Sequence, residues 1–347
     1  MANLETGTTV NKSAPLPIGS QTGSWTFVSG GLSHAMALKS DGTLWGLGGN
    51  GSGQLGNSST ASRSSPVQVG TSSWLAVSAG NYHTLGIKID GSLWSWGLNL
   101  SNQLGDGTTV AKSSPVSVQV ATSWTAMSTS TTHTLSIAKN GTLWAWGTNT
   151  TSGALGDGTT IDKSSPVQIG TSSWAAVWAG SSASAAIRAD GALFIWGQNT
   201  YGGIGDGTTV SKSSPVQIGT SSWTAVTIGT QGAASLAIRS DGALFTWGYG
   251  GNGSLGDGTT AARSSPVQVG TSSWTAISIG DTQALNGAQL AIRADGTLWA
   301  WGYNNNGQLG DGTVITKSSA VQIGTSSWTV ISAVSYTHLT LPTILLV

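Results

Sequence analysis

Tryptophan returns along this chain with a period close to 50 residues. Trp25, Trp74, Trp124, Trp174, Trp223, Trp274 and Trp328 stand 49, 50, 50, 49, 51 and 54 residues apart. A fixed period of that length means copies of one supersecondary unit, each unable to bury its apolar surface without its neighbours. One large array is therefore expected across the 347 residues, in place of two or three unrelated domains.

The stretch from Ser73 to Val120 shows the unit in full, and it predicts four short strands. The first follows the marker Trp, as in W-L-A-V-S-A-G. The second closes on an Asx-Gly pair: Asp41-Gly42, Asp90-Gly91, Asn140-Gly141, Asp190-Gly191, Asp241-Gly242 and Asp295-Gly296. Asx-Gly between apolar runs predicts a type I′ hairpin turn, with positive φ at both central residues. The third strand is L-W-x-W-G or a variant. After a long L-G-D-G-T-T loop comes the fourth, S-P-V-Q-V/I-G, whose Pro suits a strand start or an edge.

Four short antiparallel strands make a small twisted sheet with two apolar faces. Alone, it cannot offset a backbone ordering cost of roughly 1–2 kcal/mol per residue. Sheets set face to face about an axis solve that problem. The expected fold class is all-β, a seven-bladed β-propeller of four-stranded repeats. Its blades fall at approximately 24–72, 73–122, 123–172, 173–221, 222–272 and 273–326, with the seventh assembled from 327–347 and 4–20. Gly7 to Gly19 match the last quarter of a repeat, and Trp328 begins a repeat that the chain does not finish. Two readings of the tail stand side by side. In one, Tyr336 to Leu341 is a degenerate second strand; in the other, Ser335 to Thr343 is a translated adaptor joined to a truncated frame.

The ordered set V-S-A-G-x-x-H-T-L-x-x-K-x-D-G-x-L-W-x-W-G-x-N-x-x-x-Q-L-G, at Val77 to Gly105, resembles the regulator of chromosome condensation repeat in its bacterial or viral form. The likeness runs over essentially the whole chain, and it implies a seven-bladed propeller. For function it implies a wide choice, because the family includes a nucleotide exchange factor for a small nuclear GTPase, a plant ultraviolet-B photoreceptor and a bacterial inhibitor of β-lactamases. The protruding blade insertion that the exchange factor uses has no counterpart in this sequence, nor has its basic tail. A photoreceptor is disfavoured by the regular placing of the Trp residues. Sixteen of the 17 sit at three repeat positions, as blade packing demands.

Charged residues are 7% of the chain and the formal net charge is zero, which argues against a nucleic-acid partner. Without Cys there is no disulfide framework or thiolate metal site. Apolar runs are too short for a membrane span and the N-terminus lacks a signal-peptide core; this leaves the localisation unassigned, with a cytoplasmic and a virion-associated place both open. All 13 cations are assigned to two repeat positions, before the fourth strand and beside the hairpin turn. Asp106, Asp157, Asp206, Asp257 and Asp311 each stand six residues before a loop cation and are read as loop-ordering partners. One carboxylate per loop falls short of a calcium site. His34, His83 and His133 share a repeat position and are expected to bond a backbone carbonyl at a strand entry. No Ser-His-Asp order, Gly-rich phosphate loop or H-E-x-x-H is present, so no enzyme and no cofactor are expected.

Whatever breaks the repeat is the better candidate for function. The distance from marker Trp to hairpin Asx grows from 16 residues in the first four copies to 18 and 21 in the fifth and sixth. The same region carries Trp178, Tyr201, Tyr249, Asp281 and Tyr303, which are the candidate binding residues. Aromatic side chains among Asn, Gln and Gly suit recognition of a protein or glycan. The expected function is a non-catalytic scaffold presenting a loop-rich face to such a partner. The alternatives are a structural component of a virion appendage or bacterial surface, and a guanine nucleotide exchange factor.

Overall fold

The computed structural model describes residues 24–120, 123–150, 152–229, 233–280 and 287–331. These hold six antiparallel repeats. The first comprises β1 (Trp25–Gly30), β2 (His34–Lys39), β3 (Leu44–Gly48) and β4 (Arg63–Gln68), paired in that order. The second comprises β5 (Trp74–Ala79), β6 (His83–Lys88), β7 (Leu93–Gly97) and β8 (Lys112–Ser117). The third comprises β9 (Trp124–Thr129), β10 (His133–Ala138), β11 (Leu143–Gly147) and β12 (Lys163–Gln168).

The fourth to sixth repeats run together as one ten-stranded ladder. It comprises β13 (Trp174–Ala179), β14 (Ala183–Arg188), β15 (Ala192–Gly197), β16 (Lys212–Ile228), β17 (Ala234–Arg239), β18 (Ala243–Gly248), β19 (Arg263–Gly280), β20 (Ala288–Arg293), β21 (Thr297–Gly302) and β22 (Lys317–Ser327). β16 and β19 each serve as the fourth strand of one repeat and the first of the next, because Ser222 and Ser273 carry the pairing on to Ala192 and Ala243. In the separate sheets the Pro-bearing strand is the outer one, where its missing N–H costs no ladder bond. The blade expected from the two chain ends lies outside the described residues, apart from its opening at Trp328.

The chain divides into two compact units, Met1–Asn149 with Ile161–Ser172, and Thr150–Thr160 with Ser173–Val347. Within each, the core lies between successive repeats. Met36, Leu38, Leu44, Leu55 and Val69 of the first repeat pack with Trp74, Val77 and Trp96 of the second. Leu85, Ile87, Leu93 and Val118 do the same with Trp124 and Trp146. In the second unit Leu236, Ile238, Leu244 and Val269 meet Trp274 and Trp301. Trp328 and Ile331 pack on the sixth repeat. No helix among the described residues is long and apolar enough to cross a membrane.

The hairpin turn differs from the expected type I′. Only the Gly has positive φ, 81° at Gly42 and 84° at Gly91, while the Asp before it does not. Gly42 N–H donates to Lys39 O at 2.9 Å and Lys39 N–H to Thr43 O at 3.0 Å, which is a type I turn closed by a left-handed Gly bulge. The residue before the Asp joins the turn, and the Asp side chain is freed to organise the entry to the third strand. Thr43 donates to Asp41 Oδ1 from both N–H (2.9 Å) and Oγ1 (2.7 Å), and Trp45 Nε1 donates to Thr43 Oγ1 at 2.8 Å.

The same relay runs through Ser92 to Trp94, Thr142 to Trp144 and Thr297 to Trp299. The fourth and fifth repeats have Ala192 and Ala243 in place of the hydroxyl, and there the ring is Phe194 or Phe245, which has no N–H to satisfy. Asp190 and Asp241 instead pair with Arg188 (2.5 Å) and Arg239 (2.6 Å), which hold both carboxyls down to about 2. Hydroxyl and indole therefore change together. Ser92→Ala alone is expected to cost about 1–2 kcal/mol by stranding the half-buried Trp94 N–H. Adding Trp94→Phe in that background is expected to cost less than it does in the wild type, as read by urea denaturation of the four proteins.

Candidate interaction face

Antiparallel pairing brings the start of the second strand to the same end of each repeat as the loop between third and fourth strands. Backbone bonds tie the two: Leu98 N–H to Tyr82 O at 2.9 Å, Gln198 N–H to Ser182 O at 2.9 Å, and Tyr249 N–H to Ala233 O at 2.5 Å.

A buried Asn two residues past the W-G step builds the longer loop. Asn99 Oδ1 accepts Leu104 N–H at 3.0 Å, while its Nδ2 donates to Asp106 Oδ1 at 3.0 Å and Thr108 O at 2.7 Å. Asn199 and Asn304 repeat the pattern with Ile204, Asp206 and Thr208, and with Leu309, Asp311 and Thr313. These hubs escaped sequence reasoning, although W-G-x-N recurs in the chain.

The loop acids pair with their cations as expected: Asp106 with Lys112 at 3.4 Å, Asp206 with Lys212 at 3.1 Å, Asp257 with Arg263 at 2.9 Å and Asp311 with Lys317 at 3.4 Å. The carboxylates are more deeply set than a surface pair, with side chains only 4–9% exposed. Burial works to raise the Asp106 carboxyl, but the Thr108 hydroxyl and N–H and the Lys112 ammonium outweigh it and hold the group below the ordinary carboxylate range. Among the described residues no three His, Cys, Asp or Glu side chains gather as a metal site would need.

The long loop also reaches across to the next repeat within each unit. Gln54 O accepts Trp96 Nε1–H at 2.9 Å and the Thr84 hydroxyl at 2.9 Å. Gln103 O receives Trp146 and Thr134, Ala154 O receives Trp196 and Ser184, and Gly203 O receives Trp247 and Ser235. Two of the three histidines meet a hydroxyl where a backbone carbonyl was expected. His34 Nε2 meets the Thr84 hydroxyl at 3.0 Å and His83 Nε2 meets that of Thr134 at 3.5 Å. His133 Nδ1 lies 2.8 Å from Ser130 Oγ. Burial pushes His34 and His133 down to about 4, and it pushes His83 to about 3 with the neighbouring imidazoles adding to the effect.

Of the candidate binding residues, Tyr201 and Tyr249 come together. Their rings meet edge to face with centroids 5.3 Å apart, although they occupy different repeat positions. Both are half-buried. The Tyr249 ring lies over Gly251, where an added Cβ would collide with the ring and its hydroxyl. The fifth repeat has Gly250 where others have the Asn hub, and the short 3-10 turn Gly251–Gly253 takes its place. Tyr303 is half-buried and makes no ring contact with this pair. Trp178 is half-buried against the core shared by the fourth and fifth repeats, along with Ile228 and Phe245. Asp281 lies outside the described residues, as does part of each lengthened loop.

Comparison with known proteins places this architecture. Over 91% of this chain and 86% of the other, the structure superposes on human WBSCR16 with a TM-score of 0.75 at 20% identity. Yeast RCC1 (Prp20), solved bound to Kap60, gives a TM-score of 0.72 at 17% identity over 87% of this chain and 75% of that one. Prp20p of Saccharomyces cerevisiae, solved with a study of its binding to Gsp1p and histones, gives 0.70 at 18% identity over 87% and 77%. At these identities the likeness speaks for the fold, an all-β propeller of four-stranded repeats.

In sequence, 88 residues are 38% identical to an X-linked retinitis pigmentosa GTPase regulator homolog of Caenorhabditis elegans, covering 24% of this chain and 6% of that protein. A stretch of 83 residues is 36% identical to the human E3 ubiquitin-protein ligase HERC2, covering 22% of this chain and 2% of that protein. The chain thus matches a small part of the length of these curated relatives. The Regulator of chromosome condensation (RCC1) repeat model matches residues 41–87, 90–137, 140–187, 190–236, 241–285 and 295–334. With six matches spanning well over half of its length, the chain belongs to the RCC1 repeat family.

Proposed function

We propose that this chain is a non-catalytic interaction scaffold that docks a protein partner on the loop end of its fourth and fifth repeats, with Tyr201 and Tyr249 as the anchor. The carrying observation is the edge-to-face tyrosine pair, one ring of which stands on the fifth-repeat loop that departs from the repeat. Paired rings held by a folded loop offer contact area at little ordering cost, which is the economy of a binding hot spot. The family membership supports the same reading, since solved relatives of this fold are described with protein partners, Kap60 in one case and Gsp1p and histones in another. In this reading the whole chain serves as one array, its ends completing the seventh blade.

Tyr201→Ala/Tyr249→Ala is expected to weaken capture of the partner about 30-fold or more while leaving the melting temperature within a few degrees of wild type. Binding is measured with the partner recovered by cross-linking from the source cells. Unchanged affinity removes the tyrosine pair from the interface.

A second reading, regulation of a small GTPase, draws on the name of the Caenorhabditis elegans relative. It is tested by release of labelled GDP from GTPases of the source organism; a flat rate at saturating protein removes it.

A further inference from the structure

At the hairpin end of the repeats a cation lies over the aromatic rings, and the strand register identifies its position. Lys39 pairs with Trp25, Lys88 with Trp74, Arg188 with Trp174, Arg239 with Trp223 and Arg293 with Trp274. Lys39 Nζ sits 4.5 Å from the Trp45 ring centroid, Lys88 Nζ 3.6 Å from that of Trp94, and Arg293 Cζ 3.4 Å from that of Trp299. Arg188 and Arg239 cover Phe194 and Phe245 at 5.3 and 4.9 Å.

The third repeat breaks the rule. The register partner of Trp124 is Ala138, so no cation covers Trp144 from this position. Lys139, assigned from sequence to the same position as the others, stands one residue later and is exposed. The acid of the turn is missing too, with Asn140 in its place. A hollow of about 530 Å³ opens there, lined by Val120, Ala138, Lys139, Asn140, Trp144 and Gln168 among others. That volume lies inside the range of about 300–1,000 Å³ typical of small-ligand sites.

We propose that this hollow is a saccharide-binding site in which a neutral pyranose ring stacks on Trp144. The indole is held for that role: its Nε1 donates to Thr142 Oγ1 at 2.9 Å, which in turn donates to Asn140 Oδ1 at 2.7 Å. Trp124 braces it edge-on at 6.3 Å. Replacing Asp by Asn keeps the acceptor that the turn needs and adds an N–H2 at the rim, which no carboxylate provides. Gln168 spends its Nε2 on Gly170 O at 2.9 Å, leaving Oε1 to accept. Lys139 supplies further donors. Donors and an acceptor around an aromatic platform complement a sugar, which shows a C–H face to the ring and hydroxyls to the rim.

A cationic ligand fits less well. In the covered repeats with an Arg–Asp pair the cation sits beside a carboxylate, whereas here the acid is gone and Lys139 makes the rim positive. The site is separate from the tyrosine pair and does not rest on it.

The test uses the whole chain with cellohexaose, laminarihexaose, maltohexaose, mannohexaose, xylohexaose and chitohexaose, and with tetramethylammonium as a cation probe. Binding is followed by the Trp144 indole N–H resonance and by saturation transfer. At least one saccharide is expected to move that resonance saturably. Ala138→Lys, which rebuilds over Trp144 the stack seen at Lys88, is expected to weaken it about tenfold or more with the melting temperature kept or raised. Silence from all six saccharides, equal binding by Ala138→Lys, or a response to tetramethylammonium alone would overturn the assignment.

Discussion

Trp146→Ala is expected to destabilise the first compact unit by about 3–5 kcal/mol, the cost of removing a large aromatic from a closed core. Trp146 is fully buried, and it lies between Leu85, Ile87 and Leu93 of the second repeat and Trp124 of its own. Its indole N–H also closes the loop of the preceding repeat on Gln103 O at 2.9 Å. Deleting it opens a cavity and removes one of two donors to that carbonyl. The damage extends beyond one blade, because in a repeat array stability is shared through neighbour interfaces.

A second substitution approaches the same contact from the other side. Gly105 has φ +71°, and a Cβ there would fall 2.6 Å from Trp146 Nε1. Gly105→Ala is therefore expected to be destabilising as well, through backbone strain and collision together. Trp144→Phe is the internal control, since Phe194 and Phe245 fill that position elsewhere. Its cost should be the smaller. Urea denaturation of the three variants gives the order, and a Trp146→Ala protein as stable as Trp144→Phe would contradict the closed-core account.

Much of this architecture was readable from spacing. The strands that open at the first six marker Trp positions and the Asp106–Lys112 type of pair lie where the period puts them. Periodicity locates elements well because every copy votes for the same answer. It is weaker on chemistry inside a turn. Asp-Gly announces a hairpin, but whether the Asp takes positive φ depends on the residue before it, and Ser40 or Ile89 can be counted in the strand or in the turn with equal ease.

That one-residue ambiguity also hid the vacancy at Ala138, since Lys139 fills the right slot unless register is known. The Asn hubs went unread for another reason. An Asn in a Gly-rich loop looks like an ordinary turn residue until its side chain is found buried and bonded on both sides. The meeting of Tyr201 and Tyr249 could not be derived from repeat position, because the two stand at different points of their repeats and only the folded loops join them.

Acid should unfold this protein earlier than its carboxylates alone require. His34, His83 and His133 are buried, and the Nδ1 atoms of His34 and His83 have no hydrogen-bond partner that could stabilise an imidazolium. Their folded pKa values, about 4, 3 and 4, lie below the ordinary 6.5. Between pH 6.5 and about 4 the unfolded chain therefore binds more protons than the folded one, and stability falls as pH falls. Each histidine contributes a slope of about 1.4 kcal/mol per pH unit in that window, so three together approach about 4 kcal/mol per unit. Well above pH 6.5 all three are neutral in both states and the slope vanishes.

The salt-bridged acids cannot mimic this effect. Asp190 and Asp241, held down to about 2, lose their contribution only as pH falls below the ordinary carboxylate value of 3.8 towards 2. The later repeats already carry Ala183, Ala234 and Ala288 at the histidine position, so His34→Ala/His83→Ala/His133→Ala follows the chain's own precedent. Whatever its stability at pH 7, that variant should show a nearly flat dependence between pH 6.5 and 4.5, as measured by urea unfolding at stepped pH. If it keeps the wild-type slope, the buried imidazoles are not the groups that make the fold acid-sensitive.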